Sequence, residues 1–350
     1  MKALVTGGAG FIGAHLVRRL AAEPRSEVEG VVVVDRLTYA GSRERIAGLG
    51  DARVRLIELD IVDAAALSGL FQAEEVGAVF HLAAESHVDR SIAGPGDFVR
   101  TNVLGTYSVL EAARRRWESL SGAARDVFRL VHVSTDEVFG TLEREEAPFR
   151  PDSPACPNNP YAATKAGADM LARAWERTYG LPVATVHPCN VYGPWQHPEK
   201  LIPRMILRAL EGGRLPLYGR GDQRREWLYV EDACEGVLAA WRRGRPGERY
   251  LLGGTGDWAN LDVAEAVLER VRRVPGRGKE ASVEFVEDRP GHDARYALDA
   301  AGAREALDWN AATDWGEGLD RTVQWYVEHE QWAREMEWRA GRWGIGRLRR

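Results

Sequence analysis

Residues 1–20 read MKALVTGGAGFIGAHLVRRL, a short apolar run followed by a glycine-rich turn and an apolar pattern of helical period. The glycines Gly7, Gly10 and Gly13 have the spacing G-x-x-G-x-x-G, a close variant of the turn that binds a dinucleotide pyrophosphate. The first glycine permits the tight bend, the second lets the backbone approach the phosphates, and the third permits close helix packing. Free N–H groups at the start of the following helix then face the anion. This stretch therefore predicts the first strand–turn–helix unit of a Rossmann-type fold.

A second apolar run supports a dinucleotide site. Residues 31–34 (VVVV) end on Asp35, 22 positions after Gly13, and a ribose-binding carboxylate is expected at about 20 positions. Because a carboxylate repels the 2′-phosphate of NADP, Asp35 favours NAD. Arg36 follows directly and keeps NADP open as an alternative.

The remaining apolar runs predict a parallel sheet. Runs at 54–59, 78–82, 127–133 and 181–187 alternate with helical patterns, which indicates right-handed βαβ units. We therefore predict an α/β protein, a doubly wound parallel sheet with a smaller mixed α/β lobe. The predicted domains are a dinucleotide-binding domain at 1–187 with segments near 227–255 returning to it, a second lobe at 188–335 that supplies substrate contacts, and a basic tail at 336–350.

Composition excludes several classes of function. A net charge of −5 does not provide the basic face that nucleic acid requires. The longest apolar run is far shorter than the roughly 20 residues that cross a bilayer, so no membrane span is expected. The three cysteines, Cys156, Cys189 and Cys234, are odd in number and have no metal-ligand spacing. They predict a reduced, cytoplasmic protein without a metal site.

The fifth predicted strand ends on candidate catalytic side chains. Thr135, Asp136 and Glu137 follow it, and ligands bind at the carboxyl ends of strands in open α/β sheets. Two adjacent acids are costly at one site unless one is protonated or both serve a substrate. Tyr161 and Lys165 are four positions apart and share one helix face, so the ammonium is expected to lower the phenol pKa. Such a set can take one proton from an alcohol and handle two others, on carbon and on oxygen.

Two cationic, turn-rich loops lie in the predicted lobe, at residues 214–225 and 288–296. One interpretation is that they are solvated loops. The other is a diphosphate clamp, for which bidentate arginine is suited. The tryptophans from Trp309 onward are interpreted as helix-packing anchors rather than as platforms for carbohydrate.

Four further stretches carry a family resemblance: residues 37–41 (LTYAG), 83–91 (AAESHVDRS), 134–138 (STDEV) and 288–293 (DRPGHD). With the glycine turn and the Tyr-x-x-x-Lys pair, they resemble the extended short-chain dehydrogenase/reductase superfamily and, within it, the dTDP-glucose 4,6-dehydratase family. The similarity runs from about residue 1 to about residue 332. Related epimerases and decarboxylases tend to lack the adjacent Asp-Glu, so this pair discriminates among the activities.

The resemblance implies the site residues. The catalytic residues are Thr135, Asp136, Glu137, Tyr161 and Lys165. Together with the glycine turn, it implies an NAD site formed by Gly7, Gly10, Phe11, Ile12, Gly13, Asp35, Arg36, Leu37, Thr38, Asp60, Ile61, Leu82, Ala83, Ala84, Ser86, Thr101, Tyr161, Lys165 and Val191. It implies a substrate site formed by Ser86, Thr135, Asn190, Lys200, Leu201, Pro216, Tyr218, Arg225, Asn260, Asp288, Arg289, His292 and Tyr296. Three residues depart from the family pattern: Phe139 stands for a usual Tyr, Cys189 for a usual Ser, and Val191 for a usual Asn.

The resemblance also implies a reaction, the conversion of dTDP-glucose to dTDP-4-keto-6-deoxyglucose. C4 is oxidised by NAD, water is eliminated across C5 and C6, and the hydride returns to C6. The alternatives are another NAD-dependent nucleotide-sugar enzyme, namely a UDP-sugar 4,6-dehydratase, a 4-epimerase or a decarboxylase, and a catalytically silent NAD-binding regulator. A homodimer is implied as well, with helices near 102–116 and 161–179 at its interface.

Overall fold

Twelve β-strands and fourteen α-helices lie within residues 1–47 and 49–342, the part of the chain that this computed structural model describes. The strands are β1 (Lys2–Thr6), β2 (Gly30–Asp35), β3 (Val54–Glu58), β4 (Val76–His81), β5 (Arg129–Val133), β6 (Val183–Pro188), β7 (Asn190–Tyr192), β8 (Arg214–Tyr218), β9 (Arg224–Tyr229), β10 (Arg249–Leu252), β11 (Asp257–Ala259) and β12 (Ser282–Val286). The helices are α1 (Phe11–Ala22), α2 (Glu44–Ala47), α3 (Ala64–Ala73), α4 (Val88–Ala93), α5 (Pro95–Phe98), α6 (Thr106–Glu118), α7 (Gly122–Val127), α8 (Pro160–Tyr179), α9 (Leu201–Leu210), α10 (Val230–Arg243), α11 (Asn260–Arg272), α12 (Ala301–Leu307), α13 (Trp315–Glu328) and α14 (Glu330–Arg342). A π-helical segment, Val99–Gly105, runs directly into α6, and a 3₁₀ turn, Asp136–Phe139, follows β5. None of these helices combines the length and the apolar character that a membrane crossing needs.

Seven strands form one parallel sheet in the order β10-β6-β5-β4-β1-β2-β3. Both of its faces are covered, because Leu4 belongs to one apolar core and its neighbour Val5 to another on the opposite face. In the register of β1 with its two neighbours, Thr6 lies opposite Val34 and His81. The carboxyl ends of these strands therefore lie along one edge, and the predicted α/β class with a doubly wound parallel sheet is confirmed.

The smaller lobe has two short sheets. Strands β7, β9 and β11 form one, and β8 pairs with β12 in the other. Helices α9, α11 and α13 surround a core that includes Trp227 and Trp315, and the Trp315 ring stacks on Trp258 with 5.7 Å between the centroids. The predicted packing role is confirmed for Trp315 and for the buried Trp309, whereas Trp338 is exposed.

Two parts of the second half of the chain bear on the predicted domains: the segment near 227–255 and the C-terminal helix. Strand β10 pairs with β6 in the main sheet, and α10 packs against α1 and β5. Residues 336–342 are not a tail, because they complete α14, where Met336 and Ala340 are buried. Ala333, Met336 and Ala340 have helical spacing, but the charged residues between them make this apolar pattern hard to recognise in the sequence. The rest of the predicted tail, 343–350, lies outside the described residues, and the division into two domains stays a prediction.

Helix α8 presents the Tyr/Lys pair because local signals fix where it begins. The Asn159 side chain accepts a hydrogen bond from the Ala162 N–H at 2.9 Å, and Pro160 occupies the first turn. Tyr161 and Lys165 then fall on the buried face of the helix. The position of both side chains is thus set by the residues immediately before them.

The π-helical segment, Val99–Gly105, replaces the ordinary helix that the sequence predicts from Asn102 onward. The buried Asn102 side chain accepts from the Glu85 N–H at 2.8 Å and donates to the Glu85 carbonyl at 3.0 Å. It also donates to the Thr164 hydroxyl at 2.9 Å. These bonds tie the loop after β4 to α8, and π-helical turns are frequent at functional sites.

Candidate active site

A cavity of about 370 Å³ opens at the carboxyl ends of the central strands. It is lined by all five predicted catalytic residues: Thr135, Asp136, Glu137, Tyr161 and Lys165. It is also lined by every predicted cofactor residue except Leu37: Gly7, Gly10, Phe11, Ile12, Gly13, Asp35, Arg36, Thr38, Asp60, Ile61, Leu82, Ala83, Ala84, Ser86, Thr101, Tyr161, Lys165 and Val191. Leu37 instead lines a second cavity beside α14. The structure thus brings the two predicted sets together at one place.

The glycine-rich turn has the geometry of a phosphate cradle. Gly7 has φ +69°, and a Cβ atom there would come within 2.7 Å of the Ala83 nitrogen. A Cβ atom on Gly13 would collide with the Gly7 carbonyl oxygen. Helix α1 begins at Phe11 and has no side-chain cap, so its first N–H groups are available to an anion.

Asp35 stabilises this turn from the end of β2. Its carboxylate accepts hydrogen bonds from the Ala9 N–H at 3.0 Å and the Leu37 N–H at 2.8 Å. Burial raises the pKa of Asp35, and these two bonds oppose the rise. Arg36 is paired with Asp60 at 3.4 Å. An acidic group therefore follows β2 at the place predicted for a ribose-binding residue, and the neighbouring arginine is paired with Asp60, which fits NAD better than NADP.

Arg45 is a cavity-lining residue that the sequence did not reveal. Its fully buried guanidinium donates to the Ala9 carbonyl at 3.0 Å, the Ala40 carbonyl at 2.5 Å and the Trp195 carbonyl at 2.7 Å. It also lies over the Trp332 ring, 5.2 Å from the centroid. Because the partners come from distant parts of the chain, no local pattern could have indicated this residue.

The acid pair follows β5 on the 3₁₀ turn. Burial and the adjacent Glu137 raise the pKa of Asp136 to about 8, so Asp136 is protonated at neutral pH. The Thr135 hydroxyl donates to Asp136 Oδ1 at 3.2 Å, and Asp136 Oδ2 has no hydrogen-bond partner within the described residues. Burial also raises the pKa of Glu137, whose carboxylate accepts from Asn159 Nδ2 at 3.4 Å. A protonated Asp136 is one of the two ways in which adjacent acids can share a site, and the roles of the pair stay a prediction.

The Tyr161–Lys165 pair is adjacent to these acids, but its electrostatics differ from the prediction. Burial and the Glu137 charge raise the pKa of Tyr161 above its usual value. Burial lowers the pKa of Lys165 to about 8, and its Nζ donates to the Val133 carbonyl at 2.8 Å. The expected lowering of the phenol pKa by the ammonium is therefore wrong for this environment, because the loss of hydration outweighs the nearby cation.

The predicted substrate residues fall into two groups. Five line the cavity: Ser86, Thr135, Asn190, Lys200 and Leu201. The other eight lie in the smaller lobe and do not line it: Pro216, Tyr218, Arg225, Asn260, Asp288, Arg289, His292 and Tyr296. The two arginines of this second group still act on the cavity, since Arg289 and Arg225, together with the cavity-lining Lys200, oppose the rise in the Glu137 pKa.

The two arginine-bearing loops are held by internal contacts. Arg289 and Tyr218 both hydrogen-bond to Asp89, at 3.1 and 3.2 Å. Arg225 lies over the Tyr296 ring, 4.1 Å from the centroid. These contacts hold Tyr218, Arg225 and Arg289 in place, and the diphosphate clamp stays a prediction.

Glu199 also lines the cavity, and it was not among the residues predicted from the sequence, although its neighbour Lys200 was. Tyr39 donates a hydrogen bond to Glu199 at 3.0 Å, and His87 and His197 each lie 3.7 Å from its carboxylate. Part of the signal was present in the sequence, because Tyr39 lies in a stretch that carries the family resemblance and Glu199 directly precedes the predicted Lys200.

The three departures from the family pattern are all accommodated. Phe139 packs on the Phe149 and His187 rings, with centroids 5.3 and 5.1 Å away. Burial raises the pKa of the Cys189 thiol well above its usual value, which fits a small buried residue rather than a nucleophile. Val191 and Cys189 both line the cavity.

The parallel sheet, the glycine turn, the carboxylate after β2 and the Tyr/Lys pair together define an extended short-chain dehydrogenase/reductase. The family model for GDP-mannose 4,6-dehydratase matches residues 4–322. The chain belongs to this family and, within it, to the dTDP-glucose 4,6-dehydratases, as its relatives show.

These relatives match over nearly their whole length. The dTDP-glucose 4,6-dehydratase 1 of Escherichia coli K12 is 45% identical over 343 residues, which cover 95% of this chain and 94% of the relative. The dTDP-glucose 4,6-dehydratase DesIV of Streptomyces venezuelae, solved with NAD bound, is 44% identical with a TM-score of 0.87, covering 96% and 100% of the two chains. The UDP-glucose 4-epimerase of Thermotoga maritima shares the fold at 26% identity, with a TM-score of 0.82 and coverage of 94% and 100%.

Proposed function

We propose that this protein is an NAD-dependent hydro-lyase that converts dTDP-glucose to dTDP-4-keto-6-deoxyglucose. The observation that carries the proposal is a protonated Asp136 beside Glu137 in the same cavity as Tyr161 and Lys165. An epimerase needs a proton acceptor at O4, whereas a dehydratase needs in addition a base for C5 and an acid for O6. The adjacent acids supply those two further groups.

The residues around the glycine turn suit NAD as the cofactor. The uncapped start of α1 would hold the pyrophosphate, and Asp35 would hold the adenine-side ribose. When bound, NAD supplies a hydride acceptor for C4 and a hydride donor for C6. Tyr161 and Lys165 would lie on the nicotinamide side of the cavity.

Four side chains divide the proton transfers. Tyr161 in its phenolate form takes the proton from the 4-hydroxyl, and Thr135 hydrogen-bonds the 4-oxygen to keep that transfer aligned. Once C4 is a ketone, the C5 proton is acidic and Glu137 removes it. Asp136, protonated, gives its proton to the departing 6-hydroxyl, and water leaves. Glu137 then returns a proton to C5.

The two arginine-bearing loops are proposed to recognise the nucleotide diphosphate. Arg225 and Arg289 both oppose the rise in the Glu137 pKa, so their field extends toward the cavity. Arginine suits the oxygens of a diphosphate because it donates in a planar fork. Thymidine is proposed as the base because the relatives quoted above act on dTDP-glucose.

A second copy of this chain is the proposed partner. Exposed apolar side chains are grouped on the π-helical segment, α6 and α8: Val99, Leu104, Tyr107 and Met170. A surface of this kind on helices that pack side by side is typical of a subunit interface. The cytoplasm is the proposed location, since Cys156, Cys189 and Cys234 are all free thiols.

The test is a panel of nucleotide sugars incubated with the protein, with the product identified by NMR. We expect dTDP-glucose to give a 4-keto product that carries a C6 methyl group. A 4-epimerised or decarboxylated product without a methyl group contradicts the proposal, and so does the absence of turnover with every sugar.

The variant Glu137→Gln separates the base from the other groups. Because the amide cannot take the C5 proton, exchange of the C5 hydrogen with deuterated solvent should fall by about 10²–10⁴-fold. Thr141→Ser, on the loop after the 3₁₀ turn, serves as the control and should exchange normally. Unchanged C5 exchange in Glu137→Gln would refute the assignment of the base.

A further inference from the structure

A buried polar cluster lies behind the cavity, and the proposed reaction leaves it unused. Asp169 is on α8, four residues after Lys165, and so extends the helix face that carries the Tyr/Lys pair. Its Oδ1 atom accepts a hydrogen bond from His132 Nε2 at 3.0 Å. Its Oδ2 atom accepts from His187 Nε2 at 3.0 Å and from the Ser134 hydroxyl at 2.8 Å. The carboxylate is therefore held by donors from two strands of the main sheet.

The hydrogen bonds make Asp169 an anion despite its burial. Burial by itself raises the pKa of Asp169, but the electrostatic interaction with His187 and the hydrogen bonds from His132 and His187 outweigh it and hold the pKa well below its usual range. Burial lowers the pKa of His132 to about 4, so His132 is neutral at pH 7. The Nδ1 atoms of both histidines have no partner within the described residues, which matches the tautomer that carries its proton on Nε2.

Titratable and charged groups face this cluster from every element packed around it. They are His81 on β4, His132 on β5, Asp136 and Glu137 after β5, Tyr161, Lys165, Arg173 and Glu176 on α8, His187 on β6 and Arg249 on β10. Burial lowers the pKa of His81 and raises those of Tyr161 and Asp136, so these three are neutral at pH 7. Asp169 thus lies beside several neutral side chains on the cavity side, while Arg173, Glu176 and Arg249 line the small cavity on its other side.

The charge of Asp169 acts on the side chain of Lys165. Lys165 is fully buried, and burial lowers its pKa while Asp169 acts in the opposite direction. An ammonium without an opposite charge nearby loses its proton at a lower pH, because it is deprived of hydration. The Lys165 charge is therefore stabilised by a residue that does not line the main cavity.

We propose that Asp169 is a positioning residue of the reaction, whose carboxylate keeps Lys165 protonated beside Tyr161. The inference rests on the proposed function for its effect on turnover, although the charge of Lys165 can be measured without substrate. No group is transferred: the proton stays on Lys165 Nζ, and the negative charge stays on Asp169.

The chain is suited to a direct test because it has four lysines, Lys2, Lys165, Lys200 and Lys279. The side chains are labelled with [¹⁵N]lysine, the pH titration is followed by NMR, and the Lys165 signal is assigned by its loss in Lys165→Arg. Asp169→Asn should lower the midpoint of the Lys165 signal by about 1–3 pH units. The alkaline limb of the kcat profile should move down by the same amount, since the protonated form is lost at lower pH.

His187→Gln is the matched control, because it keeps the carboxylate charge and places an amide donor near the lost Nε2. It should leave the Lys165 midpoint and the alkaline limb in place. Asn is expected to be tolerated at 169, since His187 can move its proton to the unpartnered Nδ1 and accept from the new amide. If Asp169→Asn does not fold, Asp169→Ser replaces it, because a cavity of about 20 Å³ beside Asp169 has room for one water.

If the titration midpoint of Lys165 is unchanged in Asp169→Asn, or in Asp169→Ser where that variant replaces it, the inference is overturned, whatever the activity of the variant. A lowered midpoint with an unmoved alkaline limb also overturns it, because Lys165 would then not set that limb. If the unaltered chain makes no 4-keto product, the proposed function fails, and the lysine titration still decides whether Asp169 holds the charge.

Discussion

Asp136 and Asp169 are both buried in one molecule, yet they have opposite protonation states. Asp136 accepts one hydrogen bond, from Thr135, and burial beside Glu137 raises its pKa to about 8. Asp169 accepts three hydrogen bonds, and its pKa is held well below the usual range. The number of donors and the neighbouring charges, rather than the depth of burial, decide which carboxyl keeps its proton. The under-satisfied one faces the cavity, where a proton has to move.

The largest effect that tests this contrast is on the reaction rate. Asp136→Asn removes the proton donor while keeping the shape, so kcat for the 4-keto product should fall by about 10²–10⁴-fold. The measurement is steady-state formation of that product from dTDP-glucose. Asp152→Asn, at an exposed position in the loop before α8, is the control and should leave kcat unchanged. An unaltered rate in Asp136→Asn would show that the acid lies elsewhere.

The second effect is on stability at the other aspartate. Asp169→Asn replaces a carboxylate that accepts three hydrogen bonds, so the free energy of unfolding should fall by about 2–4 kcal/mol at pH 7. Because the folded-state pKa is lowered, the stabilisation is present above the unfolded-state pKa, near 4, and is lost as the pH falls through the folded-state value. Urea unfolding at several pH values measures it. Equal stability of the two chains at pH 7 would contradict the assigned charge.

The smallest effect has the opposite sign. Asp136→Asn should raise the free energy of unfolding by about 1–3 kcal/mol at pH 7, because the unaltered chain must keep a proton on a group that ionises when unfolded. A raised folded-state pKa contributes stability that is fully present below about pH 4 and is lost as the pH rises toward 8. The gain should therefore be absent at pH 4 and grow with pH. If Asp136→Asn lowers the free energy of unfolding at pH 7, burial does not raise the pKa of Asp136.

Local sequence patterns predicted much of the fold, the glycine-rich turn, Asp35 and the Tyr/Lys pair. Gly7 and Gly13 are required by a tight turn and a close helix, and Asp35 closes a buried strand at the expected spacing. Tyr161 and Lys165 share a helix face by simple periodicity. Each of these features depends on residues close together in the chain, so one short window contains the whole signal.

Features that depend on distant contacts were not predictable in this way. The π-helical segment exists where Asn102 reaches the loop after β4 and helix α8, and no residue inside it signals the wider turn. The Tyr161 pKa was predicted in the wrong direction, because its burial follows from packing of the whole sheet. The eight substrate residues away from the cavity were located by resemblance, and spacing alone does not place their loops.

Arg45 links the loop that cradles the phosphates to the carbonyl of Trp195 and to the ring of Trp332 on the last helix. Widening that loop enough to release a dinucleotide would require these distant contacts to break in the same event. We expect departure of the dinucleotide to be slow compared with a catalytic cycle. A molecule that regenerates its oxidant within each cycle has no need for exchange, and this latch would let one loaded copy serve many successive sugars.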